Sequence, residues 1–246
     1  MHRTRKLNDD FCWKGIWASQ MGVIVTQQVQ YHRPALRTET VTIPGRSGTL
    51  HLLDGAAYED VVYAPACAIV PGADTESVWA WLRGRGKVVF GSMLDYAFEA
   101  ELSEAFDCST LAEGHPGSYI IFTPIFACNP LRCAAIAEPV TRISATGAVG
   151  FNRGNIPAYP CIKLEIPEAG EITLKIAENW MRLVTNASGH VVLDMETGMV
   201  CDEKGVPSPI VTEVEGSRLR LPVGLWTLQL EGSVSGGTMD VRTRWV

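Results

Sequence analysis

The chain has 246 residues, 46% of them apolar and 20% charged, proportions that exclude a disordered or fibrous chain. Acidic residues outnumber basic ones by 27 to 21, a formal charge of −6, which argues against non-specific nucleic-acid binding as the main activity. No apolar run approaches the ~18 residues of a membrane span, and Met1 to Asp10 is basic and then acidic, without the apolar stretch of a secretory signal.

The length suits one or two domains. Charge is unevenly spread: residues 1–46 hold seven Lys/Arg and three Asp/Glu, leaving +4 there and −10 on the remainder. Between Ser92 and Ser118 stand Asp95, Glu99, Glu101, Glu104, Asp107 and Glu113, with no Lys or Arg. Solvated surface accounts for both stretches. So does an assembly in which opposite-sign faces of identical subunits meet.

Taken in chain order, period-two alternation dominates, the mark of half-buried strands. Val41–Ile43 and Thr49–Leu52 read as short strands around the turn Pro44-Gly45-Arg46-Ser47-Gly48. Gly45, Gly48 and Gly55 suit tight corners with positive φ. Arg46, between glycines, suits hydrogen bonding to nearby carbonyls or to a neighbouring subunit. Val61–Val70 and Lys87–Phe90 read as strands. One helix stands out: Asp74 is its N-cap, Val78, Trp79, Trp81 and Leu82 share a face, and Gly84 and Gly86 stop it. Ser118–Cys128 reads as a strand that Pro124 splits or moves to a sheet edge.

The small, flexible stretch Ala145–Gly150 reads as a linker or sheet-switching loop, dividing a domain over 1–145 from one over 146–246. A meander follows, with strands at Cys161–Ile166, Ile172–Ile176, Met181–Val184, Val191–Asp194, Val211–Glu215, Arg218–Leu221, Trp226–Leu230 and Met239–Trp245. The expected fold is mainly β, with two β-sandwich domains, one short helix in the first, and a sandwich or jelly roll in the second.

Chemistry leaves little trace. G-x-S-x-G, H-E-x-x-H, P-loop and EF-hand patterns are absent from the sequence. Gly84-Arg85-Gly86-Lys87 follows a helix rather than a strand, the wrong order for a phosphate cradle. Seven cysteines, an odd number, read mostly as small buried hydrophobes in a reducing compartment. The C-x4-C pair Cys128/Cys133 lacks the second pair that a structural zinc site takes. No cofactor or metal is expected. Trp180, Trp226 and Trp245 are candidates for stacking on a sugar, with core or interface packing the commoner role. The balance favours a binding or structural role over an enzyme.

Several segments, in order, resemble the distal tail protein (tail hub) family of siphovirus-type bacteriophages. They are Thr42–Leu50 with Asp54–Asp60; Trp81–Phe90; Phe122–Pro130; Asn152–Pro160, similar to an Asn-x-Gly-x-x-x-Ala-x-Pro opening of the second domain; Val192–Thr197; Leu221–Gly224; and Val241–Trp245. Together they span about residues 11 to 246. Leu7-Asn8-Asp9-Asp10-Phe11 stands where the family has Phe-Asn-Gly.

The resemblance implies a structural virion protein at the tail tip, made in the host cytoplasm. Six copies would form a ring joining the tail tube to the baseplate or host-adhesion device, with DNA passing through without sequence-specific contact. It implies a ring-forming first domain and a galectin-like second one. The implied partners are further copies of the chain, the tail tube protein, a tail-associated baseplate hub protein and a receptor-binding protein, without membrane contact. The alternative is a carbohydrate-binding module for host-surface recognition, with Trp180 and Trp226 as sugar or partner contacts.

Overall fold

A computed structural model describes residues 10–27, 29–45, 47–103, 106–110 and 118–246. The chain divides into two compact units, the first running to Ala135 and the second spanning Ile136–Trp245. Ala145–Gly150 is therefore not a linker between the units but, in the other reading of the sequence, the place where the second unit passes from one sheet to the other. It holds the turn of a hairpin inside the second unit, in which Ser144 pairs with Gly147.

The first unit contains β1 (Phe11–Trp13), β2 (Ile16–Trp17), β3 (Val23–Gln27), β4 (Leu36–Val41), β5 (Leu50–Tyr58), β6 (Val61–Tyr63), β7 (Ala66–Ile69), α1 (Thr75–Trp81), β8 (Gly84–Phe90), β9 (Tyr96–Leu102), β10 (Cys108–Thr110), β11 (Ile120–Phe122), β12 (Phe126–Cys128) and β13 (Arg132–Ala134). One sheet runs β2-β1-β8-β9-β12-β6 and a second β10-β11-β7-β3. A single apolar cluster draws Phe11, Trp13, Phe98 and Phe126 from the first, Val23, Ile69 and Phe122 from the second, and Val78 from α1. That shared core makes the unit a β-sandwich with one helix. Most of its rings meet edge to face, as with Trp13 and Phe126 at 5.4 Å, an arrangement that the ring quadrupole favours.

The helix forms where its sequence signals place it. Asp74 accepts hydrogen bonds from the Ser77 backbone N–H (3.3 Å) and hydroxyl (2.5 Å), capping the first turn. Trp81 then stacks on Phe11 at 5.7 Å. The indole N–H groups of Trp13 and Trp81 each donate to the other's backbone carbonyl at 3.1 Å. Gly84–Lys87, read as a helix stop, also opens strand β8.

The second unit contains β14 (Thr141–Ser144), β15 (Gly147–Asn152), β16 (Cys161–Ile166), β17 (Gly170–Ile176), β18 (Asn179–Thr185), β19 (Gly189–Asp194), β20 (Met199–Cys201), β21 (Val211–Gly216), β22 (Gly224–Gly232), β23 (Gly236–Asp240) and β24 (Arg244–Trp245). Ten of them run β20-β19-β16-β23-β14-β15-β22-β17-β18-β21. The β14–β15 link is one residue pair, so the ladder folds there into two five-stranded layers. Ile162, Leu164 and Met239 from one layer and Leu174, Leu183, Trp226 and Leu228 from the other fill a common core. This is the expected second sandwich.

Local differences have simple causes. Val61–Val70 is two strands, β6 and β7, broken at Ala64-Pro65. Arg218–Leu221 is no strand: only Leu221 pairs, in an isolated bridge to Ala158. Met239–Trp245 is interrupted by Arg242, whose φ is +53. Strand β9 lies in the stretch read only as acidic. Its Glu99 and Glu101 are exposed while Ala97, Phe98, Ala100 and Leu102 are buried. No helix among the described residues is long and apolar enough to cross a membrane.

Candidate assembly surfaces

Three surfaces depart from an ordinary polar exterior. The first is the ribbon of β4 and β5, which among the described residues pair only with each other. Every residue of β4 is exposed, and Leu36, Val41 and Ile43 are among the large exposed apolar side chains. An isolated two-stranded hairpin is marginal in water. Arg33 and Arg37 stand on β4 and its lead-in, where Glu39 is the one acid. Gly45 and Gly48, between its strands, have φ of +82 and +83. Gly55 is not at a turn but within β5. The register there jumps from Leu36↔Tyr58 to Thr38↔Leu53, so the chain around Gly55 bulges out of the ladder without reversing. Arg46 lies outside the described residues.

The second surface is the outward face of β9, where Glu99 and Glu101 follow exposed Asp95. Glu101 pairs with Arg85 at 2.9 Å. Glu104 and Glu113 lie outside the described residues. The third is on the second unit. Phe151 and Leu225 are a directly opposed cross-strand pair, 60% and 72% exposed. Val149, two residues along β15, and Val223, just before β22, are exposed too, an accumulation of exposed apolar side chains of the kind that marks a contact site.

The tryptophan candidates separate. Trp226 is 2% exposed and packs in the core with Leu228 and Leu230. A Cβ at Gly150 would lie 2.3 Å from its Cζ2, so Trp226 is a packing residue and not a sugar contact. Trp180 is 46% exposed. Beside it is a group that the sequence did not reveal. The Arg182 guanidinium is bound by Glu171 (Nε–Oε1 2.7 Å, Nη2–Oε2 2.9 Å) and Glu215 (Nη1–Oε2 2.9 Å). These residues are 11 and 33 positions apart in sequence. Only the register of β17, β18 and β21 brings them together.

A second ion network closes one end of the same unit. Arg242 contacts Asp194 at 2.8 Å and Glu196 at 3.4 Å, and Arg244 contacts Glu196 at 3.4 Å. Burial opposes ionisation of Asp194, yet the Arg242 guanidinium and the backbone N–H groups of Thr197 and Glu196 hold its carboxyl below the usual range. Nothing in either network has the open carboxylate pair of a hydrolase. Cys67, Cys128, Cys133 and Cys201 are buried, Cys12 and Cys161 half-buried, and Cys108 exposed. Burial pushes the Cys128 thiol up to about 12 and raises Cys67 as well, so both are protonated packing groups near neutral pH. Among the described residues no three His, Cys, Asp or Glu side chains converge on a metal site. A cleft of about 410 Å³ lies between Trp79, Leu82, Arg83, Phe106 and Cys108.

No family model matches the chain, and no curated protein matches it in sequence. Solved structures do. The Dit protein of phage SPP1, described as a paradigm of the hub adsorption apparatus in phages infecting Gram-positive bacteria, superposes with a TM-score of 0.71 at 11% identity. The match covers 96% of this chain and 99% of that one. This chain has the fold of the SPP1 hub protein. The match extends over both units. The baseplate of phage p2, in its activated conformation with Sr, matches over 90% of this chain and 91% of that one. Its TM-score is 0.44 at 7% identity, too low to argue from.

Proposed function

We propose that this chain is a structural virion component, a distal tail hub. Six copies form a ring that joins the tail tube to the baseplate or host-adhesion device and leaves a passage for DNA. The reading is carried by the hub-protein fold, shared along nearly the whole chain. The β4–β5 ribbon supports it. A two-stranded arm whose β4 carries exposed apolar residues gains stability from a neighbour. Its Arg33 and Arg37 complement the acidic face Asp95–Glu101 of a second copy. Such a contact joins different surfaces of two identical subunits, the geometry that closes rings. The role is structural rather than catalytic, and the apolar patch at Phe151 and Leu225 is left for another tail or baseplate protein.

Size-exclusion chromatography with light scattering, and negative-stain images of the same peak, test this reading. The expected result is a six-membered ring with a central hole, formed alone or on adding tail tube protein. Monomers at every concentration, with and without tube protein, would overturn it. The triple substitution Leu36→Asp, Val41→Asp, Ile43→Asp changes only exposed positions. It is expected to leave a folded monomer that does not close.

A further inference from the structure

Outward-facing side chains of β22, β17, β18 and β21 form two adjacent rows on the second unit. Gln229, Lys175 and Trp180 make one row; Glu231, Thr173, Arg182 and Glu215 make the next. We infer that this face, centred on Trp180 and the Glu171–Arg182–Glu215 clamp, is a binding site for a neutral pyranose oligosaccharide.

Trp180 is the one exposed tryptophan of seven. An indole left on a charged, hydrogen-bonding face is unused apolar area. It is also held in place. A Cβ at Gly216 would stand 3.0 Å from its Cε3 and 3.1 Å from its Cζ3, so the ring rests on the bare backbone of edge strand β21. The Ser217 N–H donates to the Trp180 carbonyl at 2.9 Å, which fixes the backbone beneath. Trp180 and Arg182 are alternate residues of β18, hence on one face and about 6.6 Å apart along the strand.

The guanidinium beside the ring is planar and immobilised by two carboxylates. Each carboxylate oxygen has a second lone pair for a further donor. A pyranose has the matching chemistry: a face of C–H bonds that lies on an indole, and a rim of hydroxyls that both donate and accept. Groups already oriented by one another lose little freedom on binding it. The charge selects among sugars. Glu171, Glu215 and Glu231 outnumber Arg182 and Lys175, so the face disfavours phosphate-bearing or uronic polymers.

The site does not depend on ring formation, so a monomer serves the test. The full chain would be titrated with N-acetylchitotetraose, maltotetraose and a glycerol-phosphate teichoic acid, followed by intrinsic tryptophan fluorescence and calorimetry. Binding of at least one neutral oligosaccharide, in the millimolar range usual for a shallow open face, is expected. Trp180→Ala should weaken it about tenfold or more, Glu215→Gln several-fold, and Trp180→Phe should restore part of it. Teichoic acid should not bind. Circular dichroism of each variant separates a lost site from a lost fold. The inference is overturned if neither neutral oligosaccharide binds, if Trp180→Ala binds as well as wild type, or if only teichoic acid binds.

Discussion

The carboxylate of Asp194 is ionised against Arg242 at 2.8 Å, and its affinity for a proton is lowered in the folded state. Such a group stabilises the fold above its unfolded value, near 4, and loses that contribution as pH falls through the lower folded value. Asp194→Asn should therefore reduce stability at pH 7 by about 2 kcal/mol, the worth of a charged hydrogen bond. The deficit against wild type should shrink below about pH 4 in denaturant melts. Gly150 gives a steric counterpart. An added methyl would stand 2.3 Å from the Trp226 ring, so Gly150→Ala should cost about 1–3 kcal/mol as an overpacked core. At this scale the sequence was legible in part. Trp180 and Trp226 carry the same composition signal, and only the pleat of β18 against that of β22 decides which one meets water. The Arg182 clamp had no signal, because its partners are neighbours across strands and not along the chain.

Elements were legible where local chemistry is self-sufficient. Asp74, the apolar face and Gly84 mark α1 without help from the rest of the fold, and alternation in Cys161–Ile166 coincides with β16. They were illegible where pairing decides. Glu99 and Glu101 disguised β9 as a polar run, although its other positions fill a core. Leu219 and Leu221 are fully buried, yet that segment packs without joining a ladder. The ribbon is the element with most to gain from a partner, as its backbone bonds are shielded by no second layer. Amide hydrogens of β4 should exchange rapidly in an isolated subunit and at least tenfold more slowly in an assembled ring, by mass spectrometry of both forms.

At the scale of the whole molecule, two separate apolar clusters imply two cooperative units. Phe126→Ala, which empties the middle of the first aromatic core, should cost about 3–5 kcal/mol and lower one calorimetric transition. Ile162→Ala should lower the other. Equal displacement of both by either substitution would mean that the chain melts as one. The two-sandwich plan was legible because turn residues and alternation recur along the chain. The division between the sandwiches was placed ten residues late, since Ala145-Thr146 has the composition of a linker and the geometry of a hairpin.

Strand β23 is internal to its layer, lying between β14 and β16, with Met239 opposite both Thr141 and Ile162. During synthesis on the ribosome, β14 to β22 emerge with the place for β23 empty between β14 and β16. The first sandwich has all its own strands by residue 134 and can settle early. The second is left waiting, two apolar strand edges apart, until residue 240 clears the exit tunnel. Its folding thus waits on β23, which emerges after β14 to β22. In that interval, when many copies are being made side by side, a neighbour's strand can take the empty place.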